Sequence, residues 1–127
     1  MSENEPEAPE APEPPKEEPK YIEFDQFAAV ELKAGKVLEA THHPDADRLL
    51  VLKVDVGEES PRQLCAGIRA DWEPEALIGR TIVVVANLKP RKLRGLESQG
   101  MMLAVNGVER VIPVGVDGEV APGTRVT

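Results

Sequence analysis

The sequence predicts an all-β fold, a small five-stranded barrel with short helical turns and a C-terminal β extension. Three observations carry that expectation. The apolar runs are short and rich in Val, Ile and Leu, Gly, Asn and Pro separate them, and only two stretches have the punctuation of a helical turn. At 127 residues, 41% of them hydrophobic, the chain can bury one core of ordinary size. The OB-fold, a partly open five-stranded barrel that binds nucleic acids and saccharides, suits this length and run of strands.

Residues 1–20 stand apart from the rest. The first nineteen contain seven Glu and one Lys, a charge of −6, so a chain of net charge −8 leaves only −2 for the remainder. Pro6, Pro9, Pro12, Pro14, Pro15 and Pro19 interrupt the stretch, and no large apolar residue follows Met1. Such a segment cannot bury enough surface to offset its ordering entropy, which predicts a disordered Pro/Glu-rich acidic linker over 1–20 and a folded unit over 21–127. A linker implies something to be linked, yet Met1 is equally compatible with a natural start.

Each element of the folded unit has its own signal. In Tyr21 to Val30, Asp25 is placed to cap a short helical turn, with Phe24, Phe27 and Val30 expected against the strands. Leu32 to Ala40 reads as a strand with Gly35 at a bend or bulge. Leu49 to Val56 alternates Leu50, Leu52, Val54 and Val56 inward with Lys53 and Asp55 outward. Arg62 to Ile68 is a third strand, after which Asp71 and Pro74 mark one helical turn. Thr81 to Ala86 (TIVVVA) is apolar throughout and fits a central strand. Met101 to Val105 and Val108 to Pro113 flank Asn106-Gly107, a hairpin signal, and Pro122-Gly123 turns the chain into Thr124 to Val126.

Between the last two groups lies Asn87 to Met102, NLKPRKLRGLESQGMM, where Lys89, Arg91, Lys92 and Arg94 gather in an otherwise acidic protein. Pro90 and Gly95 break any helical spacing, so the cations are expected in a loop, stiffened by Pro90 and opened by Gly95 and Gly100 to close approach by a ligand. A cationic loop favours phosphate, and Asn87 and Ser98 add neutral donors for phosphate or ribose oxygens. Of the four aromatics, Tyr21, Phe24, Phe27 and Trp72, the two Phe are assigned to core or interface. Few are then left for base stacking, which favours the backbone shape of a folded RNA over single strands, and duplex DNA reading lacks a recognition helix.

Other candidate chemistry is weaker. His42 and His43 beside Asp45 and Asp47 are explained by a Pro44 turn with Asx-type bonds more simply than by a metal site, so no metal is expected. Cys65, the lone cysteine, is expected in the core rather than as a nucleophile, and it fits a reducing compartment. No phosphate-binding GxxxxGK, HExxH or nucleophile elbow is present, and no apolar run is long enough to cross a bilayer. A non-enzymatic, cytoplasmic protein without cofactor, bound to no membrane, is the expectation.

HPDADRL (His43 to Leu49), VDVG (Val54 to Gly57), AGI (Ala66 to Ile68), PEALIGR (Pro74 to Arg80), VVVANLKPRKLRG (Val83 to Gly95) and SQGMMLA (Ser98 to Ala104) resemble the tRNA-binding domain family. Members occur at the C-terminus of bacterial methionyl-tRNA synthetases, as free-standing tRNA-binding proteins, and in related form in other synthetases. The resemblance, which covers Phe24 to Val126, implies an OB-fold that binds the outer corner of folded tRNA without reading sequence, as a homodimer. The family's NLKP and SxGM motifs place tRNA contacts at Asn87, Lys89, Pro90, Arg91, Lys92, Arg94, Ser98, Gly100 and Met101. Gln99 departs from the family's usual Glu, with a local hydrogen bond at stake. The C-terminal segment resembles the one that completes the family's dimer, which implies an interface at Val111, Ile112, Pro113, Val114 and Val116. The preferred reading is a C-terminal domain of methionyl-tRNA synthetase, covalently linked to a catalytic body. A free-standing tRNA-binding protein, an export-type protein-binding chaperone of the same fold, and a dimerisation domain with incidental RNA affinity are its rivals.

Overall fold

Strict alternation along Leu50, Leu52, Val54 and Val56 buries all four side chains almost completely, with Lys53 and Asp55 turned outward. This is strand β2 (Leu50–Asp55) of a computed structural model that describes residues 20–127. The linker expected over 1–20 lies, apart from Lys20, outside the described residues.

β2 pairs antiparallel with β1 (Leu32–His42) and with β3 (Arg62–Ala66). β4 (Thr81–Val85) lies on the other side of β1 and pairs with β7 (Met101–Met102), giving the order β3-β2-β1-β4-β7. The Gln99 amide donates to the carbonyl of Gln63 at 2.7 Å, drawing the chain ahead of β7 against β3. The five strands thus form the nearly closed barrel expected of an OB-fold. Its core holds Val37, Leu50, Leu52, Val54, Leu64, Leu77, Ile82 and Val84, each at most 1% exposed. A 3₁₀ turn over Pro74–Ala76 fills the expected helical position, and β10 (Arg125–Val126) pairs with the start of β1.

The apolar β4 is a central strand, as expected, flanked by β1 and β7, and β1 is long enough to serve β2, β4 and β10 at once. Gly35 is a packing residue, not a bulge: a Cβ there would lie 2.6 Å from Val54 Cγ1, and the register shift falls between Val37 and Glu39. Only a side chain of one hydrogen fits beneath Val54, Val56 and Val84.

Helix α1 (Phe24–Ala28) starts two residues earlier than an Asp25 cap would place it. Glu23 is its N-cap, and Gln26 Oε1 accepts from the Glu23 amide at 2.8 Å. Phe24 and Phe27 are 75% and 41% exposed, and Val30 is also exposed, so the apolar face expected against the strands points to solvent.

The chain from Met101 divides between two sheets. β8 (Ala104–Asn106) leaves β7 at Leu103 and pairs with β9 (Val111–Pro113) in a separate two-stranded ribbon. Asn106-Gly107 does begin its turn, but the tip is longer than a two-residue loop, closed by the Gly107 amide donating to the Arg110 carbonyl at 2.9 Å. The segment after β9 returns to β4: the Val83 amide donates to the Val114 carbonyl, and Ile82 bridges to Gly115.

Candidate nucleic-acid interface

The basic stretch is not a loop but a β-hairpin. β5 (Arg91–Leu93) pairs with β6 (Leu96–Ser98), with Leu93 opposite Leu96 across Arg94 and Gly95. Both turn residues have positive φ, 53° and 92°, as a two-residue type I′ turn demands. Gly95 adopts this freely, whereas Arg94 does so at a cost of about 1 kcal/mol. Alternation sends Leu93, Leu96 and the buried Ser98 to the inner face and Lys92 and Glu97 to the outer one. Lys89, Pro90, Arg91, Lys92 and Arg94 are all exposed. Among the described residues the one ion pair is Arg62–Glu58, so no side-chain carboxylate holds any of these four cations there.

The hairpin is fastened at several points. Asn87 Oδ1 accepts from the Glu31 amide at 2.9 Å and its Nδ2 donates to the Ala29 carbonyl at 2.7 Å, joining the hairpin's root to the junction of α1 and β1. Arg62 Nη1 donates to the carbonyls of Ala86 and Gln99, one on either side of the hairpin, and the guanidinium is held in turn by Glu58 at 2.7 Å. Ser98 Oγ accepts from the Cys65 amide and donates to the Gly100 carbonyl, both at 3.0 Å. Gln63 Nε2 donates to the Glu97 carbonyl, and Lys53 Nζ donates to Gln63 Oε1, both at 2.9 Å. Gln99 Oε1 accepts from the Gln63 amide at 2.9 Å, a bond that needs only an acceptor oxygen, so Gln serves where the family pattern has Glu.

These bonds use several of the expected ligand residues within the protein itself. Asn87 and Ser98 position the hairpin, with Ser98 only 5% exposed. Gly95 serves the turn, with open space where a Cβ would be. Gly100 makes room for the protein itself, since a Cβ there would lie 2.9 Å from the Val85 carbonyl oxygen. Met101 is exposed beside the hairpin. Ser98→Ala is therefore expected to lower stability by about 1–3 kcal/mol, because the Cys65 amide loses its acceptor. Denaturant melts would register that loss, and the salt dependence of nucleic-acid binding should not move with it.

A cleft of about 530 Å³ opens at the hairpin's root between Leu88, Pro90 and Gln99 on one side and Glu58, Glu59 and Arg62 on the other. Two carboxylates at its wall make it unsuited to phosphate. The Arg62 hydrogen bond holds the Glu58 carboxyl below its ordinary value of 4.5. The sign follows: a carboxyl lowered by folding stabilises the fold above its unfolded pKa, and that contribution is lost as pH falls through the lower folded value. Urea midpoints should therefore drop below about pH 4.5, and less so in Glu58→Gln.

Four further expectations meet corrections. The turn at Pro44 is organised by His43, 2% exposed, rather than by Asx bonds from Asp45 and Asp47. Among the described residues no group of His, Cys, Asp or Glu is arranged to hold a metal. Cys65 is half-buried on the outer face of β3, not in the core, and burial pushes its thiol up, away from nucleophilic character. Phe24 and Phe27 are not in the core: with Tyr21 they are exposed on or before α1, while Trp72 is buried. Trp72 Nε1 donates to the Val111 carbonyl at 2.7 Å, and the guanidinium carbons of Arg80 and Arg110 lie 4.9 and 4.2 Å from its ring centroid. Asp71 is no helix cap; its Oδ2 accepts from the Val111 amide at 2.9 Å.

Arg62, Gln63, Trp72 and His43 were not singled out as supports by sequence reasoning. Strand alternation could have turned Gln63 outward, but nothing local marks partners 34 to 36 residues away. Of the expected interface residues, Ile112 is exposed and faces exposed Val105 across the ribbon, whereas Val111, Pro113, Val114 and Val116 are half-buried. Among the described residues no helix is long and apolar enough to cross a membrane.

Residues 32–125 match the model of the tRNA binding domain family. A methionine–tRNA ligase of Thermococcus kodakarensis is 50% identical over 107 residues, which are 84% of this chain and 14% of the relative. The chain thus spans about a seventh of the length of such curated relatives. Among solved structures, a MetRS related protein from Pyrococcus horikoshii superposes with a TM-score of 0.79 at 34% identity, covering 85% of this chain and 99% of that one. The chaperone CsaA of Bacillus anthracis superposes at 0.75 with 28% identity, covering 85% of this chain and all of that one.

Proposed function

Because this chain belongs to the tRNA binding domain family, whose model covers nearly all of the barrel, we propose that it acts as a non-catalytic module that holds folded tRNA on the β5–β6 hairpin. The observation that carries this reading is the exposure of Lys89, Arg91, Lys92 and Arg94 on a hairpin fastened from β1 to β3, without carboxylate partners among the described residues. Fixed cations without base-stacking groups between them meet phosphates and not base edges, which suits shape recognition. In this reading residues 1–20 tether the module to the body of a cytoplasmic methionyl-tRNA synthetase, where it raises the local concentration of tRNA. Titrating fluorescent tRNA at two salt concentrations tests it. Binding should weaken by about 0.7 to 0.9 log units per phosphate contact for each tenfold rise in salt. Absent or salt-insensitive binding, with capture of an unfolded polypeptide instead, would favour the chaperone reading that the likeness to CsaA supports.

Homodimerisation is the second part of the proposal. Val105 and Ile112 sit opposite each other on a two-stranded ribbon and are 55% and 44% exposed, an apolar pair that a second copy would cover. Sedimentation should show a dimer for the wild type and a monomer for Ile112→Glu, whose exposed side chain leaves the fold intact; a monomeric wild type would refute it.

A further inference from the structure

His43 is only 2% exposed and lies outside the basic hairpin, in the turn between β1 and β2. Both ring nitrogens are nevertheless engaged. Nδ1 faces the Asp45 amide at 3.0 Å, and an amide N–H can only donate, so Nδ1 is the acceptor and the ring proton sits on Nε2. Nε2 then donates to the carbonyl of Leu93 at 2.9 Å, fifty residues away and next to Arg94 in the hairpin turn. The β1–β2 turn that carries His43 is itself backed by Arg69, whose Nη1 donates to the Ala46 carbonyl at 3.2 Å. Asn87, Arg62, Ser98 and Gln63 fasten the hairpin's root and its β6 strand, whereas His43 is the side chain that reaches the far end of β5. Without it, two strands of three residues each would carry the turn alone, and so short a ribbon is marginal in water.

The geometry points to His43 as a positioning residue for anion binding: it locks the Leu93 carbonyl and so presents Arg91, Lys92 and Arg94 already ordered, without touching the ligand. The inference rests on the proposed tRNA binding. Its signature is a loss of affinity at constant contact number, because a loosened hairpin can still make every phosphate contact once it has been ordered. His43→Asn keeps an acceptor for the Asp45 amide but is too short to reach Leu93, whereas His43→Gln places an amide Nε2 where the ring nitrogen was.

The experiment is a salt-series titration of the whole chain with tRNA, alongside amide hydrogen exchange over residues 91–97 in the free protein. His43→Asn should bind about three- to tenfold more weakly with the salt slope unchanged, and its hairpin amides should exchange faster; His43→Gln should restore both. A shallower slope would make His43 a direct contact and overturn the inference. So would an Asn variant that binds and exchanges like the wild type, or one rescued no better by Gln. If the wild type binds no tRNA, the functional reading fails, and the exchange comparison of Asn with Gln alone decides whether His43 orders the hairpin.

Discussion

Replacing Arg91, Lys92 and Arg94 together with glutamine is expected to weaken tRNA binding on the order of a hundredfold and to make the salt slope shallower by about 2 to 3, one increment of 0.7 to 0.9 per phosphate contact. All three are exposed, and none is ion-paired among the described residues, so no carboxylate there is stranded by the change. Stability should stay within about 0.5 kcal/mol of the wild type, as for other surface substitutions. The loss should be alike for every tRNA, since hairpin cations that meet phosphates carry no base information. A loss confined to one tRNA, or an unchanged slope, would relocate the interface. Parallel melts and titrations separate the two effects in one set of samples.

The largest effect on stability is expected at Trp72. Trp72→Ala should cost about 3–5 kcal/mol, a large share of the 5–15 kcal/mol typical of a domain. The indole is 7% exposed, and its Nε1–H, with the Asp71 carboxylate, satisfies the amide and carbonyl of Val111. Arg80 and Arg110 lie against the ring, contacts that add attraction when partly desolvated. Trp72→Phe keeps much of the packing and removes the hydrogen bond, for a loss nearer 1 kcal/mol. Since Val111 begins β9, hydrogen exchange should localise the alanine variant's loosening to the β8–β9 ribbon before the barrel opens. Because the indole packs in the same core cluster as Val37, Leu52 and Ile82, exchange across β1, β2 and β4 should rise as well, though less than in the ribbon; unchanged protection of the ribbon would refute the link through Val111.

Local periodicity explains what could be read from the sequence. The alternation of Leu50, Leu52 and Val54 is complete within one strand, with Val56 just past its end, and it marks β2. The β5–β6 hairpin escaped because its strands are three residues each and its turn puts Arg94 where Asn, Asp or Gly is usual. Phe24 and Phe27 were misplaced because apolarity favours cover without saying what provides it. Asn87 and Ser98 were chemically well chosen as hydrogen-bonding groups, but their partners Ala29, Glu31 and Cys65 come from distant parts of the chain, so their inward use emerged only with the tertiary structure.

The clasp of Asn87 on Ala29 and Glu31 bears on leverage. It sets the root of the cationic arm one side chain away from the point where the N-terminal helix joins the barrel. Cargo on that arm and a pull arriving through α1 therefore meet at nearly the same pivot.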